Sequence, residues 1–226
     1  GSSFPPGLGF ADAAPATPAT MTSPREEGRQ ELALQVCVVG GRAAGKSAVL
    51  QAALEDAAAL GGAGPREEAD GLQIQRMSCE YRGIRVHLEF MEFPADERYT
   101  SLLPHFATSA ACVIFVVSLA DAAGASGLEE RVELLGGPPR CGLLVVCGPL
   151  GPAGAAERRQ RFEAVQALAV RWSLRLLRFE SLNDLRGGQL LRSVCSLVLQ
   201  DVTEQADALQ LLGRRVAKAE ARTWDS

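Results

Sequence analysis

The chain reads as an α/β protein: one three-layer domain built on a mostly parallel sheet. Two observations predict it. From about Glu31 to Val202, short apolar runs alternate with longer stretches of strong helix formers, the order that lays strands side by side between helices. Only one pair of neighbouring strands is joined by a tight turn, at Arg82-Gly83, so a single antiparallel step at one edge is expected.

Each element follows from its local pattern. "LALQVCVVG" is short and continuously apolar, a buried strand, and "KSAVLQAALEDAAAL" is an Ala- and Leu-rich helix. "LQIQRMSCEY" and "GIRVHLEFMEF" form the paired strands, and "DERYTSLLPHFA" reads as helix. Then "CVIFVVSLA" and "GLLVVCG" are buried strands separated by the helix "ASGLEERVELL". "AAERRQRFEAVQALAVRW" is helix, "SLRLLRFES" strand and "LRGGQLLRSVCSLVLQDV" helix. The result is a six-stranded sheet with one antiparallel edge strand. No internal repeat of roughly 20 to 50 residues interrupts it.

Three segments are expected. Residues 1–29 are rich in Pro, Ala, Gly, Ser and Thr without hydrophobic period, a disordered leader. Residues 30–201 form the folded domain, and 202–226 an extra amphipathic helix and tail in which Val202, Ala206, Leu209, Leu212, Val216 and Ala219 recur at helical spacing. That helix either packs on its own domain or offers its apolar stripe to a partner.

Composition narrows the function. At 226 residues, 47% hydrophobic, the chain can bury one substantial core. A net charge of −4 speaks against a general nucleic-acid binder. Six dispersed cysteines with no C-x-x-C pair point to buried thiols of an intracellular protein. No apolar run approaches the ~18 residues of a membrane span, and the leader lacks the charged start and apolar segment of a signal peptide. A cytoplasmic location is expected, with cytoskeletal or ciliary association left open. His87 and His105 fall in no metal-ligand or nucleophile pattern, and "ERRQR" reads as a polar helix face.

One motif carries chemistry. Gly40, Gly45, Lys46 and Ser47 match G-x-x-x-x-G-K-[ST] between a buried strand and a helix. Such glycines let the backbone N–H groups turn toward an anion at the helix N-terminus. Lys46 would reach the outer phosphates and Ser47 would offer its hydroxyl to magnesium. Lys46 is one of only two lysines, with Lys218.

The stretch Asp96 to Val117, "DERYTSLLPHFATSAACVIFVV", resembles the second switch and following strand of Rab and Ras-type small GTPases. Where that family reads W-D-T-A-G-Q-E-R-Y, this chain has Met91, Glu92, Phe93, Pro94, Ala95, Asp96, Glu97, Arg98 and Tyr99. The hairpin from Gly71 to Glu92 fits the family's edge strands, so the resemblance runs from about Leu32 to Val202. It implies a P-loop NTPase fold and candidate nucleotide-binding residues Gly40, Arg42, Gly45, Lys46 and Ser47, with Ser47 a metal ligand only if Mg-nucleotide is bound.

The departures from the family are as telling. Glu92 and Ala95 replace the aspartate and glycine of D-x-x-G, Pro94 stiffens the segment, and Asp96 replaces the water-orienting glutamine. Ala69 and Asp70 stand where the first switch supplies a threonine. The guanine-reading N-K-x-D is "CGPLG", Cys147 to Gly151, and the supporting S-A-K is "SLND", Ser181 to Asp184, a loss that removes bidentate base recognition. Arg42 is either an in-cis cation for phosphate or a solvated arginine. No cysteine follows Cys195 to take a prenyl anchor.

The expectation is therefore a pseudo-GTPase: a non-catalytic binding or scaffold subunit of an intracellular complex, trafficking-related or ciliary, with protein partners, no nucleic acid and no required cofactor. The alternative is an unconventional switch that binds GTP, GDP or another nucleotide with Mg and hydrolyses it weakly or not at all. A partner is expected on Gln73, Gln75, Met77 and Phe93, or on the C-terminal helix. As a relic of a phosphate site, Lys46 is expected to be largely exposed.

Overall fold

The computed structural model describes residues 31–59, 62–69, 71–148, 154–180 and 188–205. The expected leader, Ser181 to Asp184, most of "CGPLG", and the helical stripe beyond 205 lie outside them. The described elements run β1 (Glu31–Gly40), α1 (Lys46–Ala59), β2 (Ala63–Ala69), β3 (Leu72–Tyr81), β4 (Ile84–Glu92), α2 (Leu103–Ser109), β5 (Cys112–Ser118), α3 (Gly124–Leu134), β6 (Gly142–Cys147), α4 (Ala155–Arg171) and β7 (Arg175–Phe179). A further helix, α5, spans residues 189–205.

The sheet has seven strands in the order β2-β3-β4-β1-β5-β6-β7, rather than the six expected. β4, β1, β5, β6 and β7 are parallel neighbours. β3 is antiparallel to both β2 and β4, so the antiparallel strand lies one in from the edge. The added strand, "AGPREEA", has no hydrophobic alternation to announce it. Its proline and charges suit an edge, where one side needs no ladder partner and charge discourages further pairing. Ala69 pairs with Leu72 across a two-residue turn whose second position, Gly71, has φ +80°, a backbone that glycine adopts without strain.

Strand alternation divides the interior into two layers. Val36, Val38, Leu88 and Phe90 face α1 and α5, meeting Leu50, Leu190 and Val194. Cys37, Val39, Phe115 and Leu144 face α2, α3 and α4, meeting Leu103, Leu128 and Val165. This is the predicted three-layer α/β arrangement, and it leaves the loop from Gly40 to Ser47 at the end of the central β1.

The segment expected to be helical from Asp96 onward begins instead as a 3-10 turn, Glu97–Tyr99, and α2 starts only at Leu103. Pro104 lies in the first turn of α2. It has no N–H for a preceding helical turn and its ring would collide with that turn's carbonyl, so the helix must begin beside it.

Candidate functional site

The candidate site lies where β1 ends between β4 and β5. A Cβ on Gly40 would stand 2.5 Å from the Val116 carbonyl oxygen, so close packing of two central strands alone requires glycine there. Gly45 has φ +88° with open space around it, and its carbonyl accepts from Val49 N–H at 2.9 Å as α1 begins. The motif residues therefore span the end of a strand, a glycine turn and the start of a helix.

Lys46 is not the exposed residue expected from a relic. It is 6% exposed, and its Nζ donates to the carbonyls of Gly40 at 3.1 Å and Gly41 at 3.0 Å. The loop curls over the ammonium and supplies oxygen where water would otherwise solvate it. Burial lowers the Lys46 pKa, the Glu92 carboxylate opposes that shift, and the Arg131 guanidinium adds to it.

Ser47 Oγ donates to Glu92 Oε1 at 2.6 Å. Glu92 closes β4 at 8% exposure, and its Oε2 makes no hydrogen bond within the described residues. Glu92 carries one methylene more than aspartate and reaches Ser47 directly. The hydroxyl's proton is committed but its lone pairs are not. Ser47 Oγ and Glu92 Oε2 are thus two hard oxygen donors in one place, fitting part of a magnesium shell that nucleotide phosphates and waters would have to complete. Among the described residues no cluster of three or more His, Cys, Asp or Glu could hold a metal unaided.

The segment that resembles a second switch is tied into the fold. Phe93 N–H bonds the Val38 carbonyl at 2.9 Å, and its ring, 3% exposed, meets Phe106 edge-on at 5.5 Å. Both carboxylate oxygens of Asp96 are gripped by Arg98, from Nε at 3.1 Å and from the second guanidinium arm at 2.9 Å, with Arg98 N–H adding a third bond at 3.0 Å. These bonds bring Asp96 down to about 2, with smaller help from the charges of Arg98 and Arg42. Arg42 itself is exposed. Tyr99 lies against the β2–β3 turn, where a Cβ on Gly71 would meet its hydroxyl at 2.1 Å.

Two residues absent from the motif complete the site. Arg131 of α3 lines both a cavity of about 190 Å³ against Gly40 and Gly41 and one of about 330 Å³ beneath Pro94 and Ala95. Its guanidinium donates to the Gly127 carbonyl, and burial lowers its pKa against the charges of Glu130 and Asp121. Asp121 lines the smaller cavity on the Gly41 side. The available signal for Arg131 was its place in the stripe Leu128, Arg131, Val132, where an arginine stands among buried apolar residues.

Of the expected partner surface, Gln73 is half-buried and the other three residues are buried. Gln75 and Met77 are each 1% exposed, and Phe93 is buried as described. Gln75 and Met77 turn toward the α1 face because β3 alternates strictly, and Phe93 fills the space beneath α2. The uncovered face of these strands carries instead an ion-pair row: Arg76 bonds Glu89 at 2.9 Å and Glu67 at 2.6 Å, and Gln35 joins Glu89 at 3.2 Å. Beside it Ser78 Oγ and His87 Nδ1 are 2.9 Å apart. From "ERRQR", Arg161 ties Glu157 to the carbonyls of Leu119 and Ala120, a structural role.

At the position of the base-reading motif, Cys147 is buried and its thiol is pushed up to about 11 by that burial, while Gly148 N–H continues the sheet to the Phe179 carbonyl at 2.8 Å. Neither offers a carboxylate to a base edge. Among the described residues no helix is long and apolar enough to cross a membrane. Compared with known proteins, the chain matches no family model and no curated sequence.

Proposed function

We propose that the chain is a pseudo-GTPase, a non-catalytic binding or scaffold subunit that holds one shape and engages a protein partner constitutively. The observation that carries this reading is the grip of Arg98 on both oxygens of Asp96, at the position where hydrolysis would need a residue free to orient water. An acidic side chain held ionised there would also repel an incoming phosphate. The pinned Phe93 and the edge strand β2 support the same conclusion. On this reading the partner meets the uncovered face bearing Arg76, Glu89 and Glu67, or the C-terminal helix. Titration of nucleotide-stripped protein with Mg-GTP and Mg-GDP is expected to show no binding tighter than micromolar and no turnover; tight binding with turnover would overturn it.

A second reading rests on the free Glu92 Oε2 beside Ser47. With Gly40, Gly45, Lys46 and Ser47 in cradle geometry, those residues would hold a Mg-nucleotide recognised without the usual base-reading set. Bound magnesium there would neutralise phosphate charge. Lys46 would have to exchange its carbonyl partners for phosphate oxygens. Mass spectrometry of small molecules released from freshly purified protein separates the readings: a stoichiometric nucleotide favours the second, and its consistent absence the first.

A further inference from the structure

We propose that Cys79 and Cys195 are a peroxide-responsive dithiol that closes to an intramolecular disulfide joining β3 to α5. Their sulfurs lie 3.7 Å apart although the residues are separated by 116 positions in the chain. A disulfide needs about 2.05 Å, so the two sulfurs, already in contact, have to move closer for the bond to form. Cys79 sits on the α5-facing side of β3 and is half-buried, whereas Cys195 is sealed within the core. An oxidant would therefore reach Cys79 first, and Cys195 is placed to resolve the product.

The surroundings distinguish this pair from the other thiols. Burial pushes Cys37 up to about 12, Cys141 and Cys147 to about 11, and Cys112 higher still; such thiols react poorly. Cys79 alone is lowered, chiefly by its hydrogen bond with Cys195, and Cys195 is correspondingly raised. No third cysteine, histidine or carboxylate among the described residues joins them to make a metal site.

The chemistry balances with a hydroperoxide as oxidant. The Cys79 thiolate attacks the peroxide, the O–O bond breaks, and one oxygen leaves as water after protonation while the other remains as sulfenic acid. Cys195 sulfur then attacks the sulfenyl sulfur; the S–S bond forms, the S–O bond breaks, and a second water leaves. Two thiols are oxidised and one hydrogen peroxide is reduced to two waters. The bond would fasten α5, and the chain that continues from it, to the antiparallel half of the sheet.

The test uses the full chain, reduced and then exposed to hydrogen peroxide. Non-reducing digestion should yield the Cys79 peptide linked to the Cys195 peptide, and the count of free thiols after denaturation should fall by two. Closing so long a loop should raise the Tm by about 5 °C or more, reversibly with dithiothreitol. Cys79→Ser should lose the link and the Tm rise together. Cys195→Ala should leave Cys79 as a sulfenic acid trapped by dimedone, which keeps the test open if one variant folds poorly. An unchanged thiol count, a link between other cysteines, or only intermolecular cross-links would overturn the proposal.

Discussion

Replacing Lys46 with methionine tests whether this motif lysine is a structural residue. Methionine keeps most of the aliphatic stem and removes the ammonium, leaving the Gly40 and Gly41 carbonyls without their donor. Hydrogen bonds to charged groups contribute roughly 1.5–3 kcal/mol each. Two opposing effects reduce the sum: the ammonium's own burial, which lowers its pKa, and the partial exposure of the Gly41 bond, which lets water replace the donor. The expected net loss is about 2–3 kcal/mol, a Tm lowered by ~4–12 °C for a chain of this size. Differential scanning calorimetry without nucleotide and with Mg-GDP reads it. Arg42→Ala, an exposed position in the same loop, is the control and should shift stability by no more than ~0.5 kcal/mol. A Lys46→Met protein that melts like the wild type without nucleotide, or differs only when nucleotide is present, would refute the structural assignment and favour a lysine held in reserve for phosphate.

Gly40→Ala should prevent stable folding, because its Cβ would meet the Val116 carbonyl at 2.5 Å, whereas Gly45→Ala meets nothing and should cost only the ~1–2 kcal/mol of a positive φ; chemical denaturation of both compares them. Gln75→Met should raise the Tm by ~2–6 °C, since both polar atoms of this buried carboxamide lack partners within the described residues; a lower Tm would mean that the amide is satisfied by bound water. Asp96 has a folded pKa below its unfolded value, so its small contribution to stability is present above about 3.9 and is lost as pH falls through about 2. Carboxyl NMR at pH ~3 should find it ionised while ordinary aspartates are mostly protonated, and Arg98→Ala should move its midpoint up toward the ordinary value.

The parallel half of the sheet was legible because its strands are buried on both faces and read as unbroken apolar runs, such as "CVIFVVS". The antiparallel half was harder. In β3 the apolar phase changes: Leu72 and Ile74 point toward α2, but beyond its cover Met77, Cys79 and Tyr81 point toward α1 and α5. A single hydrophobic face therefore cannot be traced along "LQIQRMSCEY", and the sequence alone points Gln75 outward. β2 left no periodic signal because an edge strand needs none. For the site, spacing located Gly40, Gly45, Lys46 and Ser47, but not which groups would occupy them. That Lys46 would meet carbonyls and Ser47 a glutamate depends on the curl of the loop and the end of a strand 45 residues away.

A switch requires two arrangements of nearly equal free energy, one of which the ligand prefers. To carry such an equilibrium from 1:99 to 99:1, a ligand must favour one state by about 5.5 kcal/mol. Here two ties fasten residues 93 to 99 to the rest of the fold, the Phe93 ring in the core and Tyr99 against Gly71, while the Arg98 fork on Asp96 braces the segment internally. Exposing Phe93 alone would cost on the order of 1.5–3 kcal/mol. On the proposed reading, the contacts through which a third phosphate would repay that cost are the ones that Pro94 and Ala95 replace. Even if the cradle takes a nucleotide through Lys46 and Ser47, the bound molecule has little purchase on the segment whose movement would report it. On that proposed reading occupancy and signalling are separated, and a partner meeting this surface is expected to find the same shape with either the di- or the triphosphate.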